Sequence, residues 1–265
     1  MVSITINDKE LHVADGTTVL EATGQEGIRI PTLCYSKALG HQGFCRLCVV
    51  EAEGPGLNRT ILPSCNLSVF EGLVIDTNTP LIQSIRKTIV ELLLANTQPH
   101  SALAAIAEEL GADTTKPRSA VQDPCILCGL CIRVCRCSAG ASALSFARTE
   151  KNPRVIAGKI VLDTDACIGC GTCANICPVQ AIRVEDRQSV RSILIYDKVA
   201  NEIELAACDM CGSHHATHKF IESVRLRLDP EQRSALKNLC PECARLCHAD
   251  ALAGQFPPDQ QGDAR

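Results

Sequence analysis

The 265-residue chain has no tryptophan, five Phe, two Tyr and two Met. With so little bulky apolar material, something besides side-chain packing is needed to hold an interior together. Positive charge is not in excess either: 26 Lys and Arg stand against 30 Asp and Glu, a net charge of −4. That balance excludes the basic surface that announces nucleic acid. Long apolar runs are missing. The nearest stretches, Ile89–Ala95 and Ala102–Ala107, fall short of the roughly 18 residues that cross a bilayer, so no direct membrane insertion is expected. The opening residues Met1-Val2-Ser3-Ile4-Thr5-Ile6 hold neither a basic region nor a cleavage site. The chain is therefore expected to be cytoplasmic.

What the chain has instead is cysteine, 18 residues of it. In a reducing cytoplasm disulfides are disfavoured and metal ligation becomes the default reading. The cysteines fall in clumps: 34 to 65, then none until 125, then 125–137, 167–177 and 208–247. These clumps mark out the domains.

Residues 1–79 read as a small α+β unit. Val2–Ile6 alternates at period two, Asn7-Asp8-Lys9 turns, and Glu10–Val13 returns as a partner strand. Thr18-Val19-Leu20-Glu21 fits a capping box and opens a helix expected to end by Gly27. Further strands are expected at Cys48–Glu53, Arg59–Leu62 and Leu73–Thr77, which together suggest a β-grasp sheet. Residues 80–119 form a helical spacer. Leu81–Ala95 carries a helical apolar stripe, Ala102–Leu110 is a second helix stopping at Gly111, and Asp113–Ser119 is a linker. A ferredoxin-like domain at 120–190, a Cys-rich extension at 191–254 and a disordered tail at 255–265 complete the division.

The strongest motif is Cys125-x2-Cys128-x2-Cys131-x3-Cys135, repeated as Cys167-x2-Cys170-x2-Cys173-x3-Cys177 before Pro178. This is the bacterial two-cluster ferredoxin run, in which the fourth cysteine ligates the other cluster. Cys125, Cys128, Cys131 and Cys177 are then the ligands of one [4Fe–4S] cluster, and Cys167, Cys170, Cys173 and Cys135 those of the second. The fourth cysteine of each run is expected to start a helix that points away. Gly129, Gly169 and Gly171 allow the backbone to wrap closely around an anionic cluster.

The N-terminal set is Cys34-x10-Cys45-x2-Cys48-x16-Cys65. Four cysteines on loops of a small sheet suit a [2Fe–2S] cluster, although the first gap is wider than the plant-type x4; a zinc site is the alternative. In the C-terminal clump, Cys208-Asp209-x-Cys211 and Pro241-x-Cys243-x3-Cys247-x3-Ala251-Leu252 are similar to the last cluster motif of multi-cluster ferredoxin subunits, a resemblance that implies a third [4Fe–4S] cluster on Cys208, Cys211, Cys243 and Cys247 and leaves Cys240 spare. The alternative is one Zn held by two C-x2-C knuckles at 208/211 and 240/243. His214, His215 and His218 read as a solvated loop, and Cys137 as a buried structural thiol.

Ile30-Pro31-Thr32-Leu33-Cys34, Gly43-Phe44-Cys45-Arg46-Leu47-Cys48-Val49-Val50-Glu51 and Leu62-Pro63-Ser64-Cys65 resemble a known electron-transfer module. It forms the N-terminal region of the large iron–sulfur subunit of complex I, the small diaphorase subunit of NAD-reducing hydrogenases and the N-terminal region of [FeFe]-hydrogenases. The resemblance continues through Glu91–Asn96 and Cys125–Cys135 to Cys177. Family members carry a His and three Cys for a further cluster after Ala-Asn. Here that stretch reads Thr97-Gln98-Pro99-His100-Ser101 and holds no cysteine, so that cluster is lost and His100 is an ordinary residue.

No G-x-G-x-x-G follows a strand, and no P-loop, G-x-S-x-G or H-E-x-x-H motif occurs. Clusters without a catalytic site read as a wire for single electrons. The resemblance implies a subunit of an NAD(P)H-linked oxidoreductase. One implied partner is a flavin (FMN)/NAD-binding subunit with an accessory [2Fe–2S] subunit; the other is a catalytic or bifurcating subunit, such as a hydrogenase or formate dehydrogenase. A stand-alone polyferredoxin or cluster-based redox sensor is the alternative. Protein purified without oxygen is expected to carry about 14 iron with matching sulfide if all four sites hold clusters. About 10 iron with about one zinc would instead assign the C-terminal clump to a structural ribbon.

Overall fold

The computed structural model describes residues 1–97, 101–115, 124–154, 156–235 and 237–253. His100, most of the expected linker and the expected tail lie outside the described residues.

The N-terminal unit begins with β1 (Val2–Ile6) and β2 (Lys9–Val13), an antiparallel hairpin with Ile6 opposite Lys9. Helix α1 (Val19–Gln25) follows. Its N-cap is the expected capping box: Thr18 Oγ1 accepts from the Glu21 N–H, and Glu21 accepts in turn from the Thr18 N–H. Strands β3 (Val49–Gly54), β4 (Leu57–Pro63) and β5 (Leu73–Asp76) complete a mixed five-stranded sheet in the order β2-β1-β5-β3-β4. Only β1 and β5 run parallel. Alternate residues face α1, so Ile4, Ile6, Val50, Leu73 and Ile75 are fully buried there with Val19 and Ala22. This is the expected β-grasp arrangement.

Helices α2 (Pro80–Asn96) and α3 (Ser101–Glu109) follow. Thr79 caps α2, with Pro80 at its first position. These helices carry no cysteine but supply an apolar wedge. Val90 and Leu94 of α2 and Leu103, Ile106 and Ala107 of α3 pack with Leu33, Cys34, Cys45 and Leu47 on one side and Cys128, Leu130 and Val134 on the other. Burial of each such Leu, Ile or Val contributes about 1.5–3 kcal/mol, so the spacer joins the two flanking units into one core.

The ferredoxin part consists of α4 (Leu130–Cys137), a hairpin of β6 (Leu144–Arg148) and β7 (Ile156–Leu162), the short α5 (Thr172–Asn175), and β8 (Ile182–Arg187) with β9 (Val190–Ile195). Arg133 of α4 clamps this part to the N-terminal unit, donating to the carbonyls of Leu39 and, at 2.9 Å, His41. Helix α4 starts earlier in the cysteine run than expected. Gly129, at φ +74°, turns the chain immediately before Leu130, so Cys131 and Cys135 both lie on the helix. Their i,i+4 spacing puts them on its buried face. Cys177 lies just beyond α5 rather than at a helix start. Cys137 lies off the buried face of α4 and is exposed.

The chain continues as β10 (Lys198–Ala207), β11 (His214–Thr217), α6 (His218–Arg225), α7 (Pro230–Ala235) and α8 (Pro241–Ala253). Strands β8 to β11 form one antiparallel sheet in the order β11-β10-β9-β8. The boundary expected at 190/191 therefore falls inside β9, within a continuous sheet, and the C-terminal extension is grafted onto the ferredoxin part. Contrary to the expected loop, His214 and His215 belong to β11 and His218 opens α6; register pairing of Ala207 with His214 draws the segment into the sheet.

The extension also packs against the second cysteine run. Gly169 adopts φ +68°, and a Cβ there would stand 2.6 Å from Thr217 Cγ2 and 3.0 Å from Ile203 Cδ1. Gly169→Ala is expected to destabilise the chain by about 1–3 kcal/mol through strain and overpacking. Adding Thr217→Ser, which deletes the obstructing methyl and keeps the hydroxyl, recovers part of that loss. Thermal unfolding of the three proteins under anaerobic conditions measures this. No recovery in the double variant would refute the steric account.

Candidate metal centres

The N-terminal four cysteines come together on two loops of the β-grasp unit, all buried. They form two close pairs. Cys34 and Cys45 are hydrogen-bonded through their side chains, and Cys48 Sγ lies 3.3 Å from Cys65 Sγ. In each pair one sulfur holds its proton weakly. Cys34 is pulled down to about 6 by the Cys45 thiol and by the N–H groups of Cys45, Phe44 and Gly43, against an opposing contribution from burial. Cys48 is likewise pulled down to about 6, first by the Cys65 thiol. Cys45 and Cys65 are pushed up, chiefly by the same hydrogen bonds and by burial. Two pairs of thiol donors suit a [2Fe–2S] rhomb, in which each iron takes two thiolates. Behind it, Arg86 of α2 is 4% exposed and donates to Val49 O at 2.7 Å, which seats a buried guanidinium at the base of the site.

The two ferredoxin runs line two separate apolar cavities, and each cavity takes three cysteines from one run and one from the other. The first is lined by Cys125, Cys128, Cys131 and Cys177. The second is lined by Cys167, Cys170, Cys173 and Cys135. This is the exchange of fourth cysteines that the spacing predicts. Ile182, 1% exposed, lines both cavities and is the partition between them.

Backbone N–H groups point at the sulfurs: Leu127 N donates to Cys125 Sγ at 3.4 Å, Ala143 N to Cys135 Sγ at 3.3 Å and Ala181 N to Cys177 Sγ at 3.2 Å. Burial pushes the Cys128 and Cys173 thiols up to about 12 and raises Cys131 and Cys167 as well. Thiols so reluctant to ionise become thiolate ligands when iron replaces the proton. Four sulfur donors with inward N–H groups and an apolar wall fit a [4Fe–4S] cluster in each cavity.

Several contributing residues carry no metal-binding signal in the sequence. Arg191 of β9 donates to Gly169 O at 2.9 Å and is held by Asp186 at 2.7 Å, so it fixes the loop between Cys167 and Cys170. Hydrogen bonding to Arg191 lowers the Asp186 pKa and raises that of the guanidinium. Thr217 donates to Ile168 O of the same loop. Phe44, beside Cys45, packs on Gly129 beside Cys128 and meets Phe146 edge-on at 6.1 Å between ring centroids.

The C-terminal clump is assembled differently from expectation. Cys208, Cys211, Cys240 and Cys243 converge, with all four sulfurs within 4.8 Å of one another. Cys247, expected as a ligand, is exposed on α8 and outside the group, whereas the supposedly spare Cys240 is 6% exposed and inside it. The reason is local: Cys240 immediately precedes α8, so its N–H reaches Cys208 Sγ at 3.3 Å while the Cys243 N–H reaches Cys240 Sγ at 3.4 Å. The symmetry of the two C-x2-C pairs was the signal for this set.

The model of a 2Fe–2S iron–sulfur cluster binding domain matches residues 1–80, and that of a 4Fe–4S binding domain matches residues 160–183. A subunit of the NADH-quinone oxidoreductase of Rhizobium meliloti (strain 1021) is 44% identical over 96 residues, covering 36% of this chain and 11% of the relative. The alpha subunit of the NADPH-Fe(3+) oxidoreductase of Geobacter sulfurreducens is 43% identical over 96 residues with the same coverage. The HndD subunit of the NADP-reducing hydrogenase of Solidesulfovibrio fructosivorans is 35% identical over 128 residues, 46% of this chain and 21% of the relative. The chain thus matches only a fraction of these relatives' length. Among solved structures, an NAD+-reducing [NiFe]-hydrogenase in the H2-reduced state superposes with a TM-score of 0.52 and 29% identity, over 62% of this chain and 75% of that one. The chain thus carries a 2Fe–2S cluster binding domain followed by a 4Fe–4S binding domain, and over part of its length it is similar to these subunits of NADH-quinone oxidoreductase, NADPH-Fe(3+) oxidoreductase and NADP-reducing hydrogenase.

Proposed function

We propose that this chain is the electron-transfer subunit of a multi-subunit NAD(P)H-linked oxidoreductase. In this reading it carries single electrons between a flavin (FMN)/NAD-binding subunit, with its accessory [2Fe–2S] subunit, and a catalytic or bifurcating subunit. The cytoplasm is its proposed location. Its proposed ligands are Cys34, Cys45, Cys48 and Cys65 for a [2Fe–2S] cluster, Cys125, Cys128, Cys131 and Cys177 for one [4Fe–4S] cluster, and Cys135, Cys167, Cys170 and Cys173 for another. Iron–sulfur clusters supply reversible one-electron chemistry, tuned by net charge, N–H···S bonds and exposure.

The observation that carries the proposal is the continuity of the interior between the three sites. Cys34 and Cys45 share one apolar cluster with Cys128, and the two ferredoxin cavities share Ile182 as their common wall. The chain's own residues do three things here. Leu33, Leu47, Leu130 and Val134 exclude water between the first two sites. Arg133 and Phe44 hold the [2Fe–2S] loop against the first ferredoxin run. Arg191 and Thr217 hold the second run. The printed names of the relatives, which pair NADH, NADPH or NADP with an oxidoreductase or hydrogenase, support an NAD(P)-linked assembly.

In the assembled complex, Cys170→Ser is expected to remove about four iron and to abolish electron delivery to the terminal subunit. Reduction of a dye by NAD(P)H at the flavin subunit stays intact. Delivery that persists with that cluster missing would sink the wire assignment. Isolation of the native chain as a monomer that reduces many acceptors would favour a free polyferredoxin instead. Arg133→Ala, which removes hydrogen bonds worth about 1.5–3 kcal/mol each, is expected to lower the melting temperature and slow the reduction of the [2Fe–2S] cluster. Its iron content should remain that of the wild type. Freeze-quench EPR alongside iron analysis separates slow transfer from lost cluster.

A further inference from the structure

We propose that Cys208, Cys211, Cys240 and Cys243 form a mononuclear tetrahedral site for one zinc ion, and that this ion is the core of the C-terminal module. The proposal stands apart from the electron-transfer reading, because it concerns a site built differently from the other three.

The spacing of the sulfurs is the main argument. Zn–S bonds are about 2.3 Å, which places the four sulfurs of a tetrahedral thiolate site about 3.8 Å apart. Cys211 Sγ and Cys240 Sγ are 3.7 Å apart, and no pair in the group exceeds 4.8 Å. A cubane binds each thiolate at a different iron on its outside, so its ligand sulfurs stand about 6 Å apart. Among the described residues, this is the set of His, Cys, Asp and Glu side chains whose ligand atoms converge as a group that could hold one metal ion.

The backbone is also shaped for one ion. Ala207 ends β10 and His214 begins β11, so Cys208-Asp209-Met210-Cys211-Gly212-Ser213 is the turn of a hairpin. Gly212 at φ +73° lets the turn close, with its N–H on Cys208 O at 2.9 Å and the Cys208 N–H on Ser213 O at 2.9 Å. The second pair arrives on the segment that enters α8. Asn238 latches it to the hairpin, donating from its side chain to Ala207 O at 2.6 Å and from its backbone to Asp209 Oδ2 at 3.0 Å, while Asp209 N donates to Asn238 O at 2.8 Å. Two C-x2-C knuckles, one on a hairpin turn and one at a helix start, thus face a common point.

Among the described residues, the apolar cluster around the site consists of buried Cys208, Cys240 and Cys243 with Leu239 packed against them. Segments too small to bury a core are stabilised by a structural metal, whose binding free energy becomes folding free energy. Tetrahedral S4 donors select zinc or iron over harder cations, and a closed four-ligand shell with no open position is the structural type.

The test is metal, sulfide and spectroscopic analysis of the full-length chain, purified without oxygen, as wild type, Cys240→Ser and Cys247→Ser. Expected is about one zinc per chain in the wild type and in Cys247→Ser, and its loss in Cys240→Ser, with iron and sulfide unchanged throughout. Wild-type protein produced with cobalt(II) should show the intense visible bands of a tetrahedral thiolate site. Loss of about four iron in Cys247→Ser and none in Cys240→Ser would identify a cubane and overturn the proposal. One iron without extra sulfide, or no metal at all, would also overturn it. If Cys240→Ser does not fold, the wild-type metal content and the Cys247→Ser result still decide between the two outcomes.

Discussion

A thiol turned into a dry cavity holds its proton more tightly than it does in water, because the thiolate loses its solvation. Packing several such thiols side by side adds mutual repulsion among their ionised forms. A metal that took the protons' place would end that conflict. Eleven of the 18 cysteines are buried. The apolar residues around them, such as Leu47, Leu130 and Ile182, complete a core whose centre is sulfur.

This constraint explains why the helical spacer keeps its shape without ligands of its own. The segment that carries a cluster in resembling proteins has no cysteine here, yet α2 and α3 remain packed between the 2Fe–2S loops and the first ferredoxin run. Their contribution is exclusion of water, which both neighbouring sites need. Arg86 shows the same economy: a helix without a cluster still brings a buried cation against the neighbouring sheet.

The C-terminal extension continues the sheet of the ferredoxin part and closes over its second cysteine run. Thr217 and Ile203 press on Gly169, and Arg191 of the adjoining strand bonds to the Gly169 carbonyl. Whatever is held by Cys208 and its neighbours is thereby rigidly connected to the loop that carries Cys167 and Cys170. Its four sulfurs lie within 4.8 Å of one another, and among the described residues Leu239 is the partly buried hydrophobic packed against them. The extension is a braced platform on the end of the ferredoxin part.

The sequence by itself determined the N-terminal hairpin, the capping box at Thr18, both spacer helices and the division of ferredoxin cysteines between two cavities. Each depends on short-range rules: strand alternation, cap chemistry, helical periodicity and fixed ligand spacing, all of which are written in neighbouring residues. Tertiary structure alone decided the rest. That α4 begins at Leu130 follows from the positive φ of Gly129, and that Cys137 is exposed follows from the face α4 turns inward. The sheet β8 to β11 crosses the boundary suggested by composition because pairing is set by long-range register. Arg133, Ile182, Arg191 and Thr217 act on groups far away in the chain, so no local pattern marks them. The choice of Cys240 over Cys247 was of the same kind. Both satisfy a spacing rule with Cys243, and only the meeting of a hairpin turn with a helix start, latched by Asn238, brings one sulfur inside and leaves the other in solvent.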